Sequence, residues 1–401
     1  MDIDSRYFLA LLTAFLNNQS PPDPDGADWK RVYELSCLHS LSGAVYLAMK
    51  KLPEEYRPET RIYNGLQSAF CNTLLRYGKQ DALISKISDQ LNLKGIRHIF
   101  FKGAVLRRLY PVSQMRTLGD IDLFIRDTDQ AETDAALREM GCSLESSDDA
   151  EWKYYLNELL IEIHYKVNND FMKRKAETKD YFDSVWENAH SIDGGFTWEL
   201  DTEYHLIYLI AHMAKHLYNK GCGIRMLMDI AVILNNYCSE LNYENILSEL
   251  KKISLDSFAC SIFTFCRTCF ALPELPAVTL RIKQDKEGYE DMADYFLKGG
   301  TFGFYNSRPF SYLIRQELEH TDNGVRARHK ALFRKLFPEP GWMQNKYPVL
   351  IKYPFLLPAA WIARGIMRIL FRRKRTLKIL KAFTESDDAK KDYLLLHKIG
   401  L

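Results

Sequence analysis

The run Gly119-Asp120-Ile121-Asp122-Leu123-Phe124-Ile125 constrains the fold more than any other stretch of this chain. Its alternation at period two places Ile121, Leu123 and Ile125 on one face of a strand and Asp120 and Asp122 on the other. Such a strand belongs in a sheet with one face against a core, and it delivers two carboxylates to the same side. Two close carboxylates repel unless a cation compensates them, and a divalent metal supplies a physical reason for the pair. The bland alternative is a surface strand that happens to carry two acids.

The flanking sequence supplies the rest of a sheet. "GIRHIFFKG" reads as a short β-rich run ending at Gly103, and "AVLRRLY" as a helix closed by Pro111. Residues 128–140 read as a helix, and "NELLIEIHYKV" alternates again after a polar stretch. The order is β-α-β-α-β within 95–168, enough for a small mixed sheet with helices packed on it. Helical patterns cover 5–17, 26–50 and 59–92 before it. After residue 201 the chain becomes mostly helical, with helices expected from Asp201 or Thr202 onward, after Gly221 and Gly223, and over 243–270, 279–297 and 309–335. The expected class is α+β: a small mixed β-sheet core embedded in extensive helical regions. The expected organisation is an N-terminal helical region (1–92), an α/β core (93–190), a helical domain lining the cleft (191–335) and a C-terminal Pro/aromatic segment with a basic helix (336–401).

Composition removes several classes of protein. Hydrophobic residues make up 47% and charged residues 26% of 401, which excludes a disordered chain or a small disulfide-stapled module. Lys plus Arg number 54 against 52 Asp plus Glu, so nothing supports a bulk polyanion binder. Eight dispersed cysteines in apolar contexts read as reduced thiols of a cytoplasmic protein. Cys266 and Cys269 have CxxC spacing, but no second pair completes a zinc cluster, and their segment reads as a buried helix. The acidic start lacks the basic region of a signal peptide, and no stretch of about 18 clean apolar residues predicts a spanning helix.

Other residues cluster around the acidic strand in chemistry. Gly103 stands at a strand–helix junction, where backbone can approach a phosphate, and Lys102 beside it can neutralise phosphate charge. This is not a P-loop. Glu162 and His164 share a face of the next strand; Glu162 is either a third carboxylate or the partner of Lys166 or a neighbouring base. His164 orients a carboxylate, binds phosphate or lines the sheet. Arg116 precedes the acidic strand and can grip phosphate or clamp Asp120, whereas Arg107 and Arg108 read as helix-surface residues. His205, His212 and His216 fall on one helical stripe. No HExxH is present, so a structural zinc site is not expected. His212 and His216 are expected to face the cleft near Arg225 or Asp229, bracing the site or contacting phosphate, with a packed polar seam as the alternative. "GGTFGF" reads as a lid or substrate loop. The apolar-basic segment ending in Arg372, Arg373, Lys374 and Arg375 reads either as a capping helix or as a peripheral contact with an anionic membrane surface.

"FFKGAVLRRLYPVSQMRTLGDIDLFI" followed by "LLIEIHYKV" resembles the uncharacterised nucleotidyltransferase family within the DNA-polymerase-β-like nucleotidyltransferase superfamily. The resemblance continues through "HLIYLIAHMAKHLY", "RMLMDIAVIL" and "LFPEPGWMQNKYPVL", and is most specific over 95–235. It implies that Gly103, the Asp120/Asp122 pair and Glu162 take the places of the superfamily's glycine junction, Asp-x-Asp strand and third carboxylate. It also implies roles for His212, His216, Arg225 and Asp229 without specifying them. The chain departs from the broader pattern in having Lys102-Gly103 where Gly-Ser or Gly-Gly is common, a long interval to Asp120, and Glu as third acid.

The expected function is Mg²⁺-dependent nucleotidyl transfer, with Mn²⁺ as an alternative ion. Asp120, Asp122 and Glu162 would hold the metal and act catalytically. Lys102, Gly103, Arg116, His164, His212, His216, Arg225 and Asp229 would surround the nucleotide. The partners are an NTP and a small-molecule, sugar or protein acceptor in preference to nucleic acid. The expected location is cytoplasmic, with peripheral contact at the inner membrane face as the alternative that the C-terminal segment leaves open. The alternatives are a non-catalytic nucleotide-binding or protein-interaction module on the same fold, and phosphohydrolysis with water as acceptor.

Overall fold

The computed structural model describes residues 1–148, 150–166, 181–192, 194–219, 221–279, 286–301, 303, 311–321, 323–371 and 387–401. They form two compact units. The first comprises 1–216, 222–301 and 399–401, and the second 217–221 and 302–398.

The first unit begins with α1 (Ile3–Leu16), α2 (Trp29–Leu38), α3 (Ser42–Met49) and the long α4 (Thr60–Leu93). The single helix expected over 26–50 is two, because the chain turns at Ser40, which adopts a left-handed φ of 57°. There follow β1 (His98–Phe100), α5 (Gly103–Leu106), β2 (Asp120–Ile125), α6 (Gln130–Glu139), β3 (Ser143–Ser147), β4 (Glu151–Leu156), β5 (Leu159–His164), β6 (Ala189–Ser191) and β7 (Thr197–Leu200). The helices after the sheet are α7 (Thr202–Asn219), α8 (Ile224–Asn236), α9 (Tyr243–Lys252), α10 (Asp256–Phe270) and α11 (Lys286–Gly299).

Among the described residues, the strands form one mixed sheet in the order β3-β4-β5-β2-β1-β7-β6. β2 lies at its centre, antiparallel to β1 and parallel to β5, with Asp122 opposite Glu162 and Phe124 opposite His164. The expected α+β class is observed. β3, β4, β6 and β7 were not expected from the sequence. β3 is almost entirely exposed and its pairing with β4 shifts between Leu144 and Ser146, so half-buried alternation was missing from its residues.

The alternation of β2 sorts the sheet's two faces. Ile121, Leu123 and Ile125 are fully buried with Ile161, Ile163 and Tyr154, against Leu83, Ile87 and Leu91 of α4 and Ala136 and Leu137 of α6. Each such aliphatic side chain contributes roughly 1.5–3 kcal/mol by leaving water. That burial fixes the strand's register, because a slip of one residue would put Asp120 and Asp122 into the core. The opposite face is therefore obliged to carry the acids.

Two expectations about glycines change. Gly103 is buried, and a Cβ there would lie 2.6 Å from Leu118 and 2.9 Å from the Arg116 guanidinium. Its need for glycine is close side-chain packing rather than an open approach for phosphate. α5 is one turn of four residues followed by a 3-10 turn, too short to supply much of a helix dipole. Of the glycine-rich segment, Gly299–Thr301 is stitched to the body: Thr301 N–H donates to Leu38 C=O at 3.0 Å, and a Cβ on Gly223 would meet Gly300 O at 2.0 Å. Residues 302 and 304 of the expected lid lie outside the described residues.

All eight cysteines are free thiols. Cys266 and Cys269 are buried on α10, and burial raises both thiols, Cys269 to about 12.

The second unit contains α12 (Ser311–Leu318), α13 (Gly324–Leu336), α14 (Pro340–Lys346), α15 (Val349–Lys352), α16 (Leu357–Phe371) and α17 (Asp387–Lys398). Among the described residues no helix is long and apolar enough to cross a membrane.

Candidate functional site

The polar face of the sheet gathers its charges where β2, β5 and β4 run side by side. Asp122 projects from β2 and is 3% exposed. Its neighbour in register is Glu162, whose own neighbour across β4 is Lys153. His164 follows on β5, opposite Glu151. One ligating atom each from Asp122, Glu162 and His164 lie within 4.8 Å of one another. Asp120 stands one pleat along the same face, partly buried.

These groups are already paired. Asp122 Oδ1 accepts from Lys102 Nζ at 2.7 Å and lies 2.9 Å from His164 Nε2. His164 Nδ1 faces Glu151 Oε2 at 3.5 Å. Lys153 bridges Glu151 at 2.6 Å and Glu162. The base beside Glu162 is thus Lys153, while Lys166 lies 3.6 Å from Asp127. Asp122 is held below the usual carboxylate range. Burial opposes its charge, but Lys102 and His164 outweigh burial. Asp120 is pushed up to about 6, first by burial and then by Asp122.

Lys102 carries an unusual backbone, with φ 52° and ψ −134°. A non-glycine residue held there costs roughly 1–3 kcal/mol and needs support from its surroundings. Part of that support is a hydrogen bond from its own N–H to His205 Nε2 at 3.1 Å. The accepting nitrogen must be unprotonated, so the proton of a neutral imidazole sits on Nδ1. Neutral His205 agrees with its pKa, which burial lowers to about 4. The Lys102 ammonium lies 5.1 Å from the Phe101 ring centroid and 6.0 Å from that of Tyr208.

α7 lays its stripe over this face. His205 meets the Lys102 backbone, Tyr208 packs on Phe101 at 5.3 Å, and His212 stacks on Tyr208 at 5.7 Å. His212 and His216 approach through their Nε2 atoms at 3.1 Å. His212 is pushed well down by burial and by nearby Lys102. The two histidines share one side of α7, as expected. The charges that weigh on His212 are those of Lys102, His216, Lys215 and His164, whereas Asp229 acts on His205.

A second network lies behind the first. Arg116 donates to both oxygens of Asp229 at 2.6 Å, and Tyr110 Oη–H donates to the same carboxylate at 2.7 Å. Arg116 therefore clamps Asp229, not Asp120. Burial works against the Arg116 charge, yet Asp229 more than compensates. Arg225 donates to Thr117 at its carbonyl and hydroxyl oxygens, at 3.1 and 3.0 Å. Burial and then Arg116 lower Arg225 to about 10, and Asp120 pulls the other way. Arg107 is also not the surface residue expected: it is buried, pairs with Asp81 at 2.6 Å and lies over Tyr77.

The structure thus gathers Lys102, Asp120, Asp122, Glu162 and His164, with His212 above them. It places Arg116, Asp229 and Arg225 in a bracing layer that holds the loop before β2. His205, Tyr208, Tyr110 and Lys153 were not among the expected site residues. His205 was legible from the seven-residue spacing to His212. Lys153 was legible from the alternation of "EWKYYL", had that stretch been read as a strand.

Two carboxylates and an imidazole this close can converge on one ion. Carboxylate oxygens suit Mg²⁺ or Mn²⁺, while an imidazole already bonded to a carboxylate suits an orienting role. A separate cavity of about 570 Å³, lined by Tyr181, Tyr204, Glu203 and Glu249 among others, shares no residue with this cluster.

The family model for an uncharacterised nucleotidyltransferase matches residues 25–271. That is more than half of the chain, and the chain belongs to this family, a part of the DNA-polymerase-β-like nucleotidyltransferase superfamily. None of the curated proteins matches the chain.

Proposed function

We propose that this member of the uncharacterised nucleotidyltransferase family moves a nucleoside monophosphate from an NTP to a hydroxyl acceptor. The observation that carries the reading is the convergence of Asp122, Glu162 and His164 on one sheet face, with Lys102 at its edge. Had Glu162 faced the core, a non-catalytic module would be favoured; its register opposite Asp122 favours catalysis.

Asp122 and Glu162, with Asp120 beside them, would hold Mg²⁺ or Mn²⁺, which when bound supplies charge neutralisation and alignment for phosphoryl transfer. His164 orients Asp122. Lys102 contributes an ammonium on a flexible stem to the phosphates. The acceptor oxygen bonds to the α-phosphorus, the bond from that phosphorus to the β-bridging oxygen breaks, and pyrophosphate leaves. The acceptor's proton goes to a carboxylate, which we assign to Asp120. His212 and His216 flank the nucleotide. Arg116, Asp229 and Arg225 act from behind by fixing the loop that leads into β2. The formal charge of +2 favours a small-molecule, sugar or protein acceptor over nucleic acid.

The test is incubation with α-labelled NTPs, Mg²⁺ and lysate as the source of acceptors, followed by mass analysis of labelled products. Label on an acceptor together with pyrophosphate is expected. Free phosphate from the γ position would instead mean hydrolysis. Nucleotide binding without any transfer would give the lead to the binding module.

The second unit bears on location. On α16, Ile362, Ile366 and Leu370 recur at helical spacing and are 64%, 52% and 67% exposed. Arg364, on the other side, is tied to the carbonyls of Lys335 and Leu336 and lies over Trp342. Residues 340–371 contain Lys346, Lys352, Arg364 and Arg368 and no acid. The basic run from Arg372 to Arg375 lies outside the described residues. This pattern fits a peripheral contact with an anionic bilayer at the cytoplasmic face. The protein should float with phosphatidylglycerol-containing vesicles but not with pure phosphatidylcholine ones, and Ile366→Glu should abolish flotation. Equal behaviour of both vesicle types would remove the proposal.

A further inference from the structure

We propose that Lys102 is a resident cation: in the nucleotide-free protein it competes with the divalent metal for Asp122, and the nucleotide's phosphates draw it away. The inference rests on the nucleotidyltransferase reading above.

The geometry sets up the competition. Asp122 belongs to the only cluster of three possible metal ligands found among the described residues. The oxygen of Asp122 that faces His164 is the same Oδ1 that holds the Lys102 ammonium at 2.7 Å. Both side chains are nearly sealed, Lys102 at 14% and Asp122 at 4% exposure. A doubly charged ion on Asp122 would stand against that ammonium in a poorly screened setting, where like charges repel far more than in water. The two cations therefore exclude each other unless Lys102 moves.

Lys102 is built so that its head can move while its backbone stays. The N–H bond to His205 and the left-handed φ fix the main chain. The four-carbon stem and compact ammonium are free to find another anion, which a planar, forked guanidinium would do less readily. A triphosphate offers several anionic oxygens. Phosphates arriving beside Asp122 stabilise the displaced ammonium and open the carboxylate together. Metal and nucleotide should then help each other bind, by the same factor in either order.

The same arrangement gives a reason for a lysine at this position. A site of several buried carboxylates costs stability if left uncompensated. An internal cation stabilises it until substrate arrives, and it discourages metal from settling without nucleotide.

The test measures Mn²⁺ binding to the full chain without nucleotide, by the electron paramagnetic resonance signal of the free ion. Lys102→Met should bind Mn²⁺ about tenfold tighter than the native protein, or more. Lys102→Gln guards against misfolding of the methionine variant and should also tighten binding. Lys102→Arg keeps the charge and should remain weak, which a role in packing alone would not produce. Mn²⁺ should also raise the melting temperature of Lys102→Met more than that of the native protein. Adding Asp122→Asn to either background should remove the binding. If Asp122-dependent Mn²⁺ binding is present but the neutral variants do not tighten it, the resident-cation role is overturned and the metal site stands. If Mn²⁺ binds none of these proteins, or binds independently of Asp122, both the role and the metal-dependent reading fall.

Discussion

Replacing Asp122 by asparagine should lower the proposed metal-dependent incorporation of α-labelled nucleotide by roughly two to three decades, or about 3–4 kcal/mol, the scale of losing one preorganised electrostatic contact at a reacting centre. Asparagine keeps the shape of the side chain and removes its charge. Two hydrogen bonds and one register pairing identify this position as the pivot of the cluster: Oδ1 meets Lys102 and His164, and the backbone places Asp122 opposite Glu162. The substitution also leaves the Lys102 ammonium with a neutral acceptor in place of its main counter-charge. The melting temperature should therefore fall modestly, on the scale of a lost charge-assisted hydrogen bond, about 1.5–3 kcal/mol. Asp120 is close enough to act on Lys102 electrostatically and limits that loss. The two effects separate in one experiment. Transfer is measured at a temperature where circular dichroism shows both proteins folded, at equal free Mg²⁺ and with a verified acceptor. Native-like transfer by folded Asp122→Asn would exclude Asp122 as a catalytic ligand.

Much of this site was legible because strands have a strict period. Ile121, Leu123 and Ile125 had to face a core, so Asp120 and Asp122 had to face away from it. The same rule applied to β5 put Glu162 and His164 together. What alternation cannot give is the partner across a gap in sequence. Lys102 and Asp122 are twenty residues apart, and the pairing depends on β1 lying antiparallel to β2 and on a backbone conformation at Lys102 that lysine's own preferences oppose. The sequence suggested a cation for phosphate; packing shows a cation on a carboxylate. Arg116 was harder still. From sequence it is a basic residue before an acidic strand, and Asp120 was the nearest acid. Its true partner, Asp229, lies 113 residues later on α8. The edge strand β3 was missed for a different reason: its polar, mostly exposed residues carry no hydrophobic period.

The Arg116–Asp229 pair yields a larger effect on the fold than on chemistry. Asp229→Ala should destabilise the protein by about 3–5 kcal/mol, because it strands a buried guanidinium rather than merely deleting a bond. Asp229 is 4% and Arg116 8% exposed, so water cannot readily replace the lost partner. Tyr110 loses its acceptor in the same step. For a folding unit of this size, each kcal/mol is worth roughly 1.5–2 °C, which predicts a fall of about 5–10 °C in melting temperature. The paired replacement Arg116→Met with Asp229→Leu removes both charges and should recover much of that loss, since buried ion pairs often gain little over apolar packing. Tyr110 would still lack its acceptor, so Tyr110→Phe is added to complete the apolar set. Recovery of the fold in this triple variant assigns the pair a bracing role. Its nucleotide affinity then decides what else the pair does. If Arg116 only fixes the loop before β2, affinity returns with stability. If stability returns while nucleotide affinity stays lost, Arg116 contacts phosphate directly, and the bracing layer has to be moved into the nucleotide site.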